Sequence, residues 1–138
     1  MTVIEKNNKW FTLTGTLHLF VAIGAVPPAM MFILQPDGAL LGLSTEILTD
    51  SPFHSFFFPG LYLLIIIGLG SLFGCFYIYK KLPNSHIISI ILGISLTTWI
   101  IVQVYWIGFV SWLQPLFLFI GISEIVVGFV LSKKRAND

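Results

Sequence analysis

The stretch FFFPGLYLLIIIGLGSLFGCFYIY, residues 56–79, carries no charged side chain and runs directly into Lys80-Lys81. About 20 consecutive apolar residues cross the hydrocarbon of a bilayer as a helix. The run is unbroken and does not alternate with period two, which argues against a transmembrane strand. Three further stretches have the same character, at about residues 10–34, 86–109 and 113–131. A span of some 24 residues reaches roughly 36 Å, so moderate tilt is expected. The expected fold is all-α: a single four-span, up-and-down helix bundle over residues 1–138.

Composition supports this class and removes others. Hydrophobic residues make up 57% of the 138, and charged residues only 9%, against roughly 25% in soluble domains. Mean hydropathy is +0.95. A soluble domain this small exposes too much of its surface to hide that much apolar area. Thirteen Phe and few charges exclude disorder. A net charge of +1 provides no basic face for nucleic acid. The single cysteine, Cys75, cannot form an internal disulfide or a cysteine metal cluster.

Turn signals mark the breaks. Pro36-Asp37-Gly38 ends the first span. Lys80 to Ser85 joins the second to the third, with Asn84 or Ser85 as the expected cap. Between the third and fourth, either Ser111 caps with Gln114 reaching back, or Gln114 caps with Pro115 at the first helical position. The loop 36–55 is the only long one. Its acidic residues Asp37, Glu46 and Asp50 read as solvated surface, being too spread out for a cation site. Leu40, Leu41, Leu43, Ile47 and Leu48 give the loop an apolar side, and Ser44 or Thr45 starts a short helix in it that is expected to lie at the membrane interface.

Orientation follows from charge. Lys6, Lys9, Lys80, Lys81, Lys133, Lys134 and Arg135 all fall on one side of the four spans. The positive-inside rule places both termini and the Lys80-Lys81 turn in the cytoplasm. The first span is too long for a cleaved signal core. The bilayer is the expected partner, with a second copy or another membrane protein as a further one.

Ionisable groups within spans are costly and default to functional readings. His18 lies nine residues after Lys9, and Glu124 nine before Lys133. Both therefore sit about 13 Å from the inner boundary. Ser71 and Ser89 fall in nearly the same layer. Small residues mark close helix contacts in membranes. They accompany these groups as Gly15, Ala22 and Ala25 around His18, Gly70 and Gly74 beside Ser71, and Gly121 and Gly128 around Glu124. The layer reads in two ways: polar glue that fixes helix register, or a proton-linked or ligand-binding site formed by Glu124, His18, Ser71 and Ser89. Near the outer surface, Gln103, Trp106, Gln114 and His54 form a second candidate cluster. Most aromatic rings there, Trp99 and Trp112 included, read as an interfacial belt.

Several elements together, Ser51-Pro52-Phe53, Pro59-Gly60, Gly68-Leu69-Gly70, Trp99…Gln103…Ile107-Gly108 and Leu113-Gln114-Pro115, with Pro36-Asp37-Gly38 and Leu41-Gly42, resemble a group of small four-span bacterial membrane proteins. The resemblance covers most of the chain. It implies the architecture and a bacterial inner-membrane setting, and no activity. This chain has Ser55 where the group tends to carry an acidic residue, and Ser71 where it tends to carry an amide.

Three function classes follow. One is binding or transport of a small hydrophobic or proton-linked ligand within the bundle. Another is a non-catalytic accessory subunit of a larger membrane complex. The third, an enzyme or haem carrier, has little support. His86 lies shallower than His18, so the two do not oppose each other across a haem, and no catalytic motif, zinc motif or phosphate loop occurs. No cofactor or metal is expected.

Overall fold

The computed structural model describes residues 3–136, with side chains for 8–134; Lys6 and Arg135, counted above among the basic residues, have side chains outside that range. Four helices are long and apolar enough to cross a membrane, and no strand occurs among the described residues. They are α1 (Val3–Leu34), α2 (Phe57–Tyr79), α3 (Ser85–Ile107) and α4 (Leu113–Ala136). Each packs on the next, and α4 closes back onto α1.

The interior is a thin apolar core of Val21, Ala25, Ala29, Leu63, Ile67, Leu96, Ile100 and Ile120. Large apolar side chains also cover the outside. Phe20, Ile23, Phe76, Ile91, Ile101, Phe119 and Phe129 are each half exposed or more. A helix apolar on all sides needs an apolar surrounding, such as the lipid of a membrane.

Two helices depart from regular geometry. Pro27 and Pro28 lie inside α1 and supply no backbone N–H, so the carbonyls of Ile23 and Gly24 lose their usual helical donors. In α2, residues Leu63–Leu69 form a π-helix between two α-helical pieces. Its wide turn places Leu63, Ile67 and Gly68 in the interior together. Gly68 sits against Val26, where an added Cβ would come within 2.9 Å of Val26 Cγ2. Such π segments occur disproportionately at functional sites.

The ends of α2 and α3 differ from the expected caps. α2 ends with Lys81 N–H donating to Ile78 O and Leu82 N–H to Tyr77 O. This is a Schellman arrangement with Lys81, at φ 54°, in the left-handed position that glycine usually fills. Neither expected residue caps α3 through its side chain. Asn84 is itself left-handed and makes no side-chain cap bond. The Ser85 hydroxyl instead donates backwards to Leu82 O, because Asn84's backbone has turned away from the extended form that a side-chain cap requires.

Loop 36–55 folds over one end of the bundle. Its short helix takes the form of a 3-10 turn at Thr45–Leu48, whose Glu46 N–H donates to Ser44 Oγ, preceded by another such turn at Ala39–Leu41. Phe56 closes the loop. Its N–H donates to Pro36 O at 2.8 Å, and its ring stacks on Phe32 with centroids 4.8 Å apart. Gly38, at φ 82°, runs beneath that ring, where a Cβ would come within 2.7 Å.

At the opposite end, Lys81 donates to Asn8 Oδ1. Lys134 lies 5.6 Å over the Trp10 ring, and Thr16 Oγ1 meets the Tyr79 hydroxyl at 2.8 Å.

Candidate functional site

Two features occupy the interior: a polar layer towards the lysine-bearing end and a cavity beneath the loop. The layer brings together His18 of α1, Ser89 of α3 and Glu124 of α4, all fully buried. His18 Nδ1 lies 3.1 Å from Glu124 Oε1. That oxygen is off the line of a ring N–H, so the contact is close without being a directed hydrogen bond, and Glu124 Oε2 has no protein partner. His18 Nε2 lies 3.0 Å from Ser89 Oγ, and Ser89 Oγ donates to the backbone carbonyl of Glu124 at 2.9 Å.

These distances determine where the protons go. Ser89 has a single hydroxyl hydrogen, and the approach of its oxygen to a carbonyl oxygen requires that hydrogen between them. Ser89 Oγ is then an acceptor towards His18, so Nε2 carries a hydrogen. Nδ1 is then the ring nitrogen that faces Glu124.

Small residues allow this approach. Gly15, His18, Ala22 and Ala25 are all buried along one face of α1, and Gly121, Glu124 and Gly128 along one face of α4. Gly74 of α2 lies beside the His18 ring, 3.9 Å from Cγ to the place a Cβ would occupy. Ser71 is buried on α2 but makes no hydrogen bond to His18, Ser89 or Glu124. The other three candidates form one cluster.

The second feature is a cavity of about 400 Å³. All four helices and the loop bound it, with Ala25 and Pro28 of α1, Leu63 and Ile67 of α2, Leu96 and Trp99 of α3, and Phe117 of α4 among its walls. Leu43, Leu48 and Phe53 roof it from the loop. Both irregular helical stretches border it, α1 through Pro28 and the π segment of α2 through Leu63 and Ile67. His18 and Glu124 do not line it. Along their helices His18 lies six residues from the nearest wall residue, Gly24, and Glu124 seven from Phe117, or about 9–10 Å. Val21 and Ile120 fill the space between.

Of the second candidate cluster, Gln103, Trp106 and Gln114 line the cavity together. Gln114 is buried and staples the α3–α4 hairpin. Its Oε1 accepts from the backbone N–H groups of Val110 at 2.9 Å and Ser111 at 3.4 Å. Its Nε2 donates to Gly108 O and Gln103 Oε1. Of the two capping arrangements open in the sequence, this is the one in which Gln114 reaches back; Pro115 falls at the third helical position. His54 stands apart from these three. It is exposed in the loop and does not line the cavity, because Phe53 and Phe56 on either side of it point inwards instead.

Trp99 belongs to the site although the sequence places it in an interfacial belt. Its ring stacks on Tyr62 with centroids 4.9 Å apart, and its buried Nε1 has no hydrogen-bond partner. Among the described residues, no group of three or more His, Cys, Asp or Glu side chains gathers as for a metal ion. Comparison with protein-family models, with curated proteins and with solved structures found no match.

Proposed function

We propose that this chain binds a small hydrophobic ligand inside the bundle, in the cavity beneath loop 36–55. The observation that carries the reading is the cavity itself. At about 400 Å³ it falls within the size range of small-molecule sites, and like them it is mainly apolar with a few polar groups at one end. The test uses the full chain in lipid nanodiscs with 2-acetylnaphthalene as probe. Saturable stabilisation is expected, with the unfolding temperature rising about 9 °C at a hundredfold excess over Kd. Ala25→Leu, which projects a larger side chain into the void, should abolish the effect and leave the protein folded. Stabilisation that does not saturate, or that survives Ala25→Leu, would sink the reading.

The polar layer supports a second reading, that of an accessory subunit in a larger membrane complex. His18, Ser89 and Glu124 are occupied in tying α1, α3 and α4 together, and they are sealed off from the cavity. A partner of fixed stoichiometry that stays bound through purification in mild detergent, and without which the chain is degraded in cells, would favour that reading.

The setting we propose is a bacterial inner membrane, with both termini and the Lys80-Lys81 turn in the cytoplasm. Its support is the gathering of all seven basic residues at one end. In intact cells, Glu46→Cys should react with an impermeant maleimide and Ser132→Cys should not. The opposite pattern would invert the topology.

A further inference from the structure

The cavity wall is closed on one side of the bundle and open on another. Its residues on α2 and α3 are all buried or half-buried. The exposed wall residues are Gly24 of α1, Leu41 in the loop that follows α1, and Val110, Ser111 and Leu113 leading into α4. All five belong to α1, to the start of α4, or to the connections that extend them, so the opening runs along the α1–α4 seam. Towards α2 and α3, by contrast, the Trp99 ring, stacked on Tyr62, separates the cavity from a second space bordered by Phe58 and Thr98.

One ring stands in the open seam. Phe117 of α4 lines the cavity and reaches across to the bare backbone of α1, where a Cβ on Gly24 would come within 2.6 Å of Phe117 Cζ. Phe20, one turn earlier on α1 and half exposed, stacks on that ring with centroids 6.1 Å apart and does not line the cavity. A single aromatic ring, propped by a second, is thus what stands between the cavity and the outside at this level. The backbone there is also loosened, because Pro27 and Pro28 leave the carbonyls of Ile23 and Gly24 without their usual helical donors. Gly24 lies ten residues before Leu34, the end of α1, or about 15 Å along the helix. In hydrocarbon about 30 Å thick, the lower edge of the opening is near the middle of the bilayer.

Building on the cavity reading above, we infer that the ligand is an uncharged, hydrocarbon-soluble molecule that enters sideways from the membrane between α1 and α4, with Phe117 as the gate. The depth of the opening sets the class of ligand. A molecule that reaches Gly24 and Phe117 through lipid has left water behind, and a charge carried to that depth is costly. Rotation of the Phe117 ring away from Gly24 opens the route, and the stack on Phe20 holds it shut.

The test measures release of 2-acetylnaphthalene from the full chain in nanodiscs. Loaded discs are mixed with an excess of empty ones, and recovery of tryptophan fluorescence reports departure, since Trp99 and Trp106 line the cavity. Phe20→Ala removes the prop without touching the cavity. Release should become about three- to tenfold faster, the worth of one aromatic pair, with Kd unchanged because entry accelerates equally. Phe117→Ala should release faster still. Phe58→Ala, an equal truncation on the α2–α3 side, should release at the wild-type rate. Saturable binding whose release rate is the same in Phe20→Ala as in the wild type would overturn the gate and leave the cavity reading standing. Faster release from Phe58→Ala alone would also overturn it, by moving the route to the other seam. Absence of saturable binding to the wild type would overturn both.

Discussion

Glu124→Leu and His18→Phe, each made alone, are expected to destabilise the bundle by about 3–5 kcal/mol, and the two together by much less. Removing one member of a buried pair strands the other, whereas replacing both with apolar side chains removes the need for a partner. The layer has little slack, because His18, Ser89 and Glu124 are all fully buried. The inferred tautomer makes a sharper distinction. With Nε2–H directed to Ser89, a neutral His18 presents a bare Nδ1 to residue 124. Glu124→Gln can donate an amide hydrogen to that nitrogen and should cost less than about 1 kcal/mol, the worth of one ordinary hydrogen bond. Ser89→Ala removes the group that holds the tautomer and should make Glu124→Gln more costly than it is in the wild type. A double-mutant cycle on reversible unfolding in mixed micelles measures the coupling. Additive losses for Glu124→Leu and His18→Phe would show that the two side chains do not depend on each other.

Much of that layer can be found by counting along the chain. Lys9, Lys81 and Lys133 mark one boundary, and His18, Ser89 and Glu124 stand eight or nine residues inside it, so their common depth follows from helical rise. Their meeting also needs the right helix rotation. The small-residue stripes indicate that rotation, because a side chain beside Gly121 and Gly128 lies on the face that approaches a neighbouring helix. Ser71 shows where depth alone misleads, since it shares the level but not the cluster.

The cavity is not legible in the same way. It arises because side chains from five separate segments fail to fill the space beneath the loop, and no local pattern records a volume deficit. The π-helical stretch of α2 that borders it, LLIIIGL, looks in sequence like any other apolar run. Trp99 was obscured by a sound general rule. Interfacial tryptophans are common, and only the stacking on Tyr62 and the unpartnered Nε1 separate this one from the belt. His54 lies away from the cavity because depth in a loop says nothing of direction.

Gly93→Ala should be the most disruptive single-methyl change in the bundle, costing about 1–2 kcal/mol net, while Gly15→Ala should be nearly neutral. Both glycines are buried in helices, and in both an alanine would gain up to about 1 kcal/mol of helix propensity. What the added methyl meets decides the difference. At Gly93 the Cβ would lie 2.8 Å from Gly121 O and 2.9 Å from Ile125 N. These are backbone atoms of α4, so the two helices must separate, and overpacking of this kind costs about 1–3 kcal/mol. At Gly15 the Cβ would meet the Tyr79 ring edge at 2.4 Å. Tyr79 is 42% exposed, and its ring can swing outwards at the cost of one surface hydrogen bond to Thr16. The separation at Gly93 has a further consequence. Ser89 lies one turn earlier on the same face of α3, and its bond to Glu124 O spans the same crossing. Widening the crossing should break that bond and free the His18 tautomer, so Gly93→Ala and Ser89→Ala should be less than additive. Equal losses for the two glycine variants, measured in the same micelles, would show that the α3–α4 crossing is not the tight contact that holds the polar layer together.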